Sequence, residues 1–224
     1  ILTGLKGPFG STEIRVMRIS GSGNLTWQKT FGGAANSDTY SSIIALQDGN
    51  LLLIGTTGLN LDRDAYLAKI DGMGNLLWEK NYPNEFNTFL SLGLETEDGD
   101  LVVVGQTYFY NPDVPIYYQK SNITRLTAEG EEIWKRYYYT RDDFHNYLYD
   151  IEKTSDGGFI SAGFALSDTS DRHDFWVVKT DSFGCLVAGC ELVSAVEGHP
   201  AGGADVEIKV YPNPFSSETT LEYQ

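Results

Sequence analysis

Apolar and polar positions alternate along this chain in short runs, and turns that contain glycine separate the runs. Residues 51–54 and 101–104 are apolar at every position, which is typical of a strand buried on both faces of its sheet. Asp-Gly pairs at 48–49 and 98–99 precede these two runs, and a third pair lies at 156–157 before another apolar run. An Asp-Gly pair between apolar runs predicts a tight β-hairpin, on the expectation that both turn residues take positive φ. The pattern therefore predicts an all-β chain.

The runs recur as a unit of four strands, here named a, b, c and d, which in one unit cover residues 43–46, 51–55, 66–70 and 76–80. Two kinds of residue keep the register from unit to unit: Trp27, Trp78 and Trp134 in strand d, and Gly55, Gly105 and Gly163 at the end of strand b. Four antiparallel strands repeating every ~50 residues are typical of a β-propeller blade. Because one blade cannot bury both faces of its sheet, we expect the tryptophans to pack between neighbouring blades.

These repeats divide the chain into a partial blade (1–33), two complete blades (40–82 and 90–139), a partial blade (147–190), a linker (191–205) and a C-terminal segment (206–224). The prediction is an arc of about three and a half blades and fourteen strands. Closed propellers contain about 4–8 four-stranded blades, so we expect the ring to be incomplete and to include further repeats upstream.

Charge and hydropathy exclude two classes of protein. The formal net charge is −15 and the pI is about 4.4, whereas nucleic-acid-binding surfaces are basic, so no nucleic-acid partner is expected. No apolar stretch is long enough for a membrane-spanning helix. The acidity itself has two interpretations, which are solubility through self-repulsion and the binding of cations such as calcium.

Cys185 and Cys190 are the two cysteines, and they enclose a short segment. They are either two free thiols or a small disulfide-closed loop. We predict the disulfide, which would place the protein in an oxidising, exported setting.

Several segments resemble a bacterial repeat often called the seven-bladed β-propeller repeat. They are Phe-Gly-Gly-Ala-Ala-Asn-Ser-Asp at 31–38, Asp-Gly-Asn at 48–50, Gly-Thr-Thr at 55–57 and Asp-Ala-Tyr-Leu-Ala-Lys at 64–69. The resemblance covers roughly residues 1–190. It implies the propeller fold and says almost nothing about function.

The C-terminal segment 206–224 resembles the opening of a type IX secretion sorting domain of type A. Such domains begin with an apolar strand, a Tyr-Pro-Asn-Pro-Phe motif and a strand containing Thr. The motif is matched by Tyr211, Pro212, Asn213, Pro214 and Phe215, and the family's later strands are absent before Gln224. The resemblance implies the type IX secretion machinery as a partner and export across the outer membrane of a Gram-negative bacterium. It also implies removal of the domain, with the protein secreted or held on the cell surface.

The b–c and d–a loops vary between repeats, whereas the a–b and c–d turns are short and uniform. Function usually lies on variable loops over a rigid scaffold, so we predict that the b–c/d–a face binds the ligand. The candidate ligand residues are Tyr110, Tyr117, Tyr118, Tyr138, Arg141, Asp142, His145 and His173. Tyr rings with carboxylates and an Arg suit glycan binding by stacking and hydrogen bonding. The alternative is that these rings only cover the blade tops.

No catalytic residue, metal site or cofactor is predicted from the remaining motifs. The acidic residues at 62–64 and 168–174 are a candidate calcium site, but they lack the spacing of the known calcium loop, which favours structural turns. We therefore predict an exported binding or structural module for glycans or proteins. The alternative is a propeller-based hydrolase or lyase, or the C-terminal part of a larger secreted enzyme.

Overall fold

The computed structural model describes residues 1–7, 12–32, 39–59, 62–83, 88–111, 116–140, 145–166, 173–186, 208–211 and 220–223. Within these ranges the secondary structure is sixteen β-strands without a helix, and every paired strand is antiparallel to its neighbour. The chain forms two compact units, Ile1–Ala188 and Gly189–Gln224. The all-β prediction is confirmed.

The first unit contains four antiparallel sheets, which we name blades 1 to 4, and each is ordered as in the sequence. Blade 1 comprises β1 (Leu2–Lys6), β2 (Glu13–Ile19) and β3 (Leu25–Phe31), and blade 2 comprises β4 (Thr39–Ala45), β5 (Leu51–Leu59), β6 (Asp62–Ile70) and β7 (Leu76–Tyr82). Blade 3 comprises β8 (Thr88–Glu95), β9 (Leu101–Asn111), β10 (Ile116–Leu126) and β11 (Glu132–Tyr138), and blade 4 comprises β12 (Asn146–Lys153), β13 (Phe159–Leu166) and β14 (His173–Thr180). In the second unit, β15 (Ile208–Tyr211) pairs with β16 (Thr220–Tyr223). The predicted propeller arc is confirmed, and its sheets do not close into a ring within the part of the chain described.

Three hydrophobic cores lie between successive blades. Strand β5 shows why its run is apolar throughout. Leu51 and Leu53 point into the core shared with blade 1, whereas Leu52 and Ile54 point into the core shared with blade 3. All four side chains are buried, because successive residues of a strand face opposite sides of the sheet.

The hairpin turns differ from the expected two-residue form. In the a–b turn of blade 2 the Gly49 N–H donates to the Leu46 carbonyl, and the Leu46 N–H donates to the Asn50 carbonyl. Gly49 has a φ of 83°, which makes it the left-handed residue that ends a three-residue loop. The expectation that both residues of the Asp-Gly pair form a two-residue turn with positive φ is therefore wrong. The same pair of hydrogen bonds closes each of the seven a–b and c–d turns that the structure describes in the first unit.

Each strand-d tryptophan packs on the c–d turn of the next blade. A Cβ atom placed on the turn glycine would lie 2.9 Å from the ring in the Gly74–Trp27 pair, 3.1 Å in the Gly130–Trp78 pair and 2.7 Å in the Gly184–Trp134 pair. Glycine is therefore needed at this turn for two reasons. The backbone has a positive φ, and the indole occupies the space that a side chain would fill.

Polar groups on the same strand extend this contact. The residue two positions after the tryptophan is basic, and Lys29 Nζ donates to Asn75 Oδ1 of the next blade at 2.8 Å. The residue four positions after it is aromatic, and the Tyr82 hydroxyl donates to the Gly130 carbonyl at 2.8 Å. Strand d therefore carries a Trp-x-basic-x-aromatic pattern that holds the next blade at its c–d turn.

The strand-b glycines lie opposite a β-bulge in strand a. Gly105 pairs with Leu90, and the ladder then shifts by one residue before Leu92. A Cβ atom on Gly105 would lie 1.9 Å from the Phe89 carbonyl oxygen, and one on Gly163 would lie 1.8 Å from that of Tyr147. Gly is needed because the bulge brings the neighbouring backbone onto the position of a side chain.

We predict that Gly130→Ala destabilises the protein more than Gly23→Ala does. Both glycines have positive φ in equivalent c–d turns, but the position of a Cβ on Gly23 has no atom within 4 Å. Left-handed backbone costs both variants about 1–2 kcal/mol. Gly130→Ala adds about 1–3 kcal/mol, because the new methyl group collides with the Tyr82 hydroxyl and the Trp78 ring.

Urea unfolding of the two variants measures this difference in the free energy of unfolding. Equal losses in Gly23→Ala and Gly130→Ala would contradict the indole–glycine contact.

Candidate functional site

A cleft of about 340 Å³ is lined by residues at the b–c/d–a edge of blades 3 and 4. Its volume falls within the range of about 300–1,000 Å³ that is usual for small-molecule sites. Its lining comprises Phe89, Gln106, Tyr108, Gln119, Tyr147, Tyr149, Phe164, Leu166 and His173. The cleft therefore combines aromatic rings, two carboxamides and an imidazole.

Blade 3 supplies its part of the cleft from a long hairpin. Strands β9 and β10 have 11 residues each, whereas β5 and β6 of blade 2 have 9. Tyr108 and Gln119 are direct partners across this hairpin, so their side chains lie on the same face. Gln106 lies on that face as well, two residues before Tyr108.

Blade 4 supplies a continuous set of rings. The Tyr147 and Phe164 ring centroids are 4.5 Å apart, and those of Phe164 and His173 are 4.2 Å apart. Tyr149 lies 6.0 Å from Tyr147 with the two rings nearly parallel, and His145 lies 6.2 Å from Tyr147 on its other side. The two histidines selected from the sequence therefore belong to one aromatic cluster.

The Gln106 carboxamide is the unusual polar group of the cleft. The Gln106 side chain is buried, with 5% of the residue exposed, and its Oε1 has no hydrogen-bond partner in the part of the chain described. A buried acceptor without a partner costs about 1–3 kcal/mol, so such a group is usually paired with ordered water, an ion or a ligand.

Gln119 is hydrogen-bonded to residues of blade 4. His145 Nδ1 lies 3.0 Å from Gln119 Oε1, which can only accept, so Nδ1 donates the hydrogen bond. The buried Asn146 Nδ2 donates to the Gln119 carbonyl at 3.4 Å. These bonds join blade 3 to blade 4 beside the cleft. Burial lowers the pKa of His145 below its ordinary value, because it disfavours the charged form of the ring.

The predicted ligand residues have different locations. His173 lines the cleft, and His145 is bonded to a residue that lines it. Tyr110 and Tyr117 are exposed, and their ring centroids are 5.0 Å apart. Tyr118 packs against Phe109, with the centroids 5.8 Å apart. None of these three tyrosines lines the cleft, and Arg141 and Asp142 lie outside the described residues.

The prediction that Tyr138 faces a ligand is wrong. Tyr138 is 4% exposed, and its hydroxyl donates to the Gly184 carbonyl of the next blade at 2.6 Å. Burial raises the pKa of Tyr138 above its ordinary range. This residue is the aromatic member of the strand-d pattern, as Tyr82 is in blade 2.

Sequence reasoning missed most of the cleft, including Gln106, Tyr108, Tyr147, Tyr149 and Phe164. A usable signal lies at the position that follows the strand-b glycine. It is Thr56 in blade 2, Gln106 in blade 3 and Phe164 in blade 4, although the glycine itself recurs. A residue that changes from blade to blade beside a glycine that does not change indicates a position with a role other than packing.

A second cleft, of about 470 Å³, lies among the a–b and c–d turns of blades 3 and 4. It is larger, but the guanidinium group of Arg125 is already bound within the protein. Arg125 Nε and Nη2 donate to Asp100 and Asp98 at 2.8 Å, and its Nη1 donates to the Ser182 carbonyl at 3.3 Å. The first cleft, of about 340 Å³ and hereafter the aromatic cleft, is therefore the better candidate site.

Other predicted features remain predictions. Cys185 is buried, but Cys190 lies outside the described residues, as do Pro212, Asn213, Pro214 and Phe215. Tyr211 is the last residue of β15. Among the described residues, no group of three or more His, Cys, Asp or Glu is placed to hold a metal ion. The same part of the chain contains no helix with the length and apolar character to cross a membrane.

Comparison with protein-family models and with curated proteins finds no match to this chain. Among solved structures, the chain is similar to a mannose phosphorylase from Leishmania mexicana, solved in complex with phosphate ion, with 13% identity and a TM-score of 0.46. It is also similar to an endo-arabinase from Bacteroides thetaiotaomicron, with 12% identity and a TM-score of 0.37. Both matches cover 80% of this chain, and they span 62% and 74% of the respective structures.

We predict that His145 makes the protein less stable in mild acid. Because its pKa is lowered by folding, the unfolded state binds more protons as the pH falls below the ordinary value of 6.5. Thermal unfolding of the wild type and of His145→Gln between about pH 7 and about pH 5 measures the effect. The melting temperature of the wild type should fall more steeply than that of the variant. If the melting temperatures of the two proteins fall equally with pH, His145 does not cause the loss of stability in acid.

Proposed function

We propose that this chain is a binding module that holds a neutral, hydroxyl-bearing ligand of the glycan class in the aromatic cleft. The observation that carries the proposal is the buried Gln106 Oε1, which has no partner among the described residues and lines the cleft. A ligand hydroxyl group that donates to Gln106 would remove the cost of this buried acceptor.

The rings support the same class of ligand. Tyr147, Tyr149 and Phe164 offer apolar faces on which the C–H faces of a sugar can stack. His173 is exposed at the end of this cluster and adds a polar group. Stacking faces with a few fixed polar groups are the usual composition of a specific small-molecule site.

We predict that Gln106→Met weakens ligand binding without unfolding the protein. Methionine keeps the shape of the side chain and removes the acceptor, so the free protein should be equally stable or more stable. A glycan array first identifies a ligand, and calorimetry then compares the variants. Loss of one hydrogen bond of about 1–3 kcal/mol corresponds to a loss of affinity of roughly 5- to 150-fold.

Tyr149→Ala and Tyr117→Ala form the matched pair for this experiment. Both tyrosines are exposed, at 43% and 55%, but only Tyr149 lines the cleft. Binding should weaken in Tyr149→Ala and be retained in Tyr117→Ala. If binding is retained in Gln106→Met and lost in Tyr117→Ala, the proposed site is wrong and the ligand binds at the β9–β10 hairpin instead. If the protein cleaves the bound glycan, it is a hydrolase and not only a binding module.

We also propose that residues 206–224 direct export through the type IX secretion machinery, and that the protein is secreted or displayed on the surface of a Gram-negative bacterium. The pairing of β15 with β16 supports this, since a hairpin of an apolar strand and a strand containing Thr is the arrangement expected around the Tyr-Pro-Asn-Pro-Phe motif. The predicted Cys185–Cys190 disulfide belongs to the same exported setting.

Alanine replacement of residues 211–215 in the genomic copy of the gene tests the export proposal. The altered protein should accumulate inside the cell envelope, whereas the unaltered protein reaches the medium or the cell surface. Alanine replacement of residues 216–219, which lie beside the motif, is the control. Unchanged export of the 211–215 variant would contradict the proposal.

A further inference from the structure

The outer face of blade 1, which is the side of β1–β3 turned away from blade 2, exposes positions that are buried in the following blades. Ile19 is 39% exposed, whereas Ile70 and Leu126, which end strand c in blades 2 and 3, are 0% and 1% exposed. Leu2 is 51% exposed, whereas its equivalent in blade 2, Leu53, is 0% exposed. This face has the composition of an interface between blades.

The same face carries a c–d turn without a tryptophan. Gly23 has a φ of 85°, and its turn is closed by the same two hydrogen bonds as those of Gly74, Gly130 and Gly184. At each of the other three turns, an indole from the preceding blade lies against the glycine. At Gly23, the position of a Cβ has no atom within 4 Å.

We propose that the outer face of blade 1 is the docking surface for a further propeller blade whose strand d carries a Trp-x-basic-x-aromatic pattern. The three interfaces already formed define this partner. They use Trp27, Lys29 and Phe31; Trp78, Lys80 and Tyr82; and Trp134, Arg136 and Tyr138. Its tryptophan packs on Gly23, and its basic residue binds Asn24, the equivalent of the Asn75 that accepts from Lys29.

A second copy of this chain does not match that partner. The chain has four tryptophans. Trp27, Trp78 and Trp134 each pack on a turn of the next blade, and Trp176 packs against the core between blades 3 and 4. A second copy therefore has no strand-d tryptophan left to place on Gly23. The observations favour an additional blade.

A fusion protein tests the proposal with a blade of known sequence. A copy of residues 39–101 is joined directly to Ile1 of the whole chain, which adds the four strands of blade 2 and the strand a of blade 3. This junction keeps the register because Gly4 of β1 is equivalent to Gly105 of β9. Gly4 pairs with Arg15 and Gly105 pairs with Asn122, and both partners lie four residues before the last residue of their strand c.

The measurement is the shift in melting temperature caused by Gly23→Ala. In the chain alone, the shift should equal that of Gly49→Ala, another positive-φ glycine without neighbouring atoms. In the fusion protein, the shift from Gly23→Ala should grow to that of Gly130→Ala, while the shift from Gly49→Ala stays the same. Replacing the added copies of Trp78 and Tyr82 with Ala should remove the extra shift, since these two side chains make the contact at the equivalent Gly130.

Two results would overturn the proposal. The first is a Gly23→Ala shift that is the same in the chain alone and in the fusion protein. The second is a dimer of the chain alone, seen by analytical ultracentrifugation, that Leu2→Asp dissociates, because that result assigns the face to a second copy.

Discussion

The contact between a strand-d indole and the turn glycine of the next blade is the interaction on which the first unit of this protein depends. A four-stranded sheet with apolar residues on both faces is not stable alone, so its stability comes from its neighbours. The indole fixes where that neighbour lies, because it fits only where a residue has no side chain. Trp78, which occupies the space of a side chain on Gly130, illustrates this requirement. The same blade-to-blade geometry then recurs at each of the three interfaces.

The aromatic cleft follows from that stacking. Gln106 and Tyr108 belong to blade 3, and Tyr147 and Phe164 belong to blade 4, so the site exists only while the two blades keep their relative position. The His145–Gln119 hydrogen bond joins the two blades directly beside the cleft. Binding and stability are therefore coupled here, because a ligand held by both blades stabilises their interface.

Much of the fold could be predicted from the sequence, since a repeated Trp and a repeated Gly report a repeated physical environment. The site could not be predicted equally well. Tyr138 lies in a run of tyrosines that resembles a loop, but its spacing from Trp134 matches that of Tyr82 from Trp78, which is a packing signal. Gln106 cannot be identified from the sequence, because its burial without a partner is a property of the assembled blades.

The central claim is tested most directly by nuclear Overhauser contacts between indole ring protons and glycine α-protons. The account predicts contacts in the pairs Trp27–Gly74, Trp78–Gly130 and Trp134–Gly184, with ring-current shifts of those α-protons and none at Gly23. Contacts from each indole only to protons of its own sheet, or unshifted α-protons at Gly74, Gly130 and Gly184, would contradict the account.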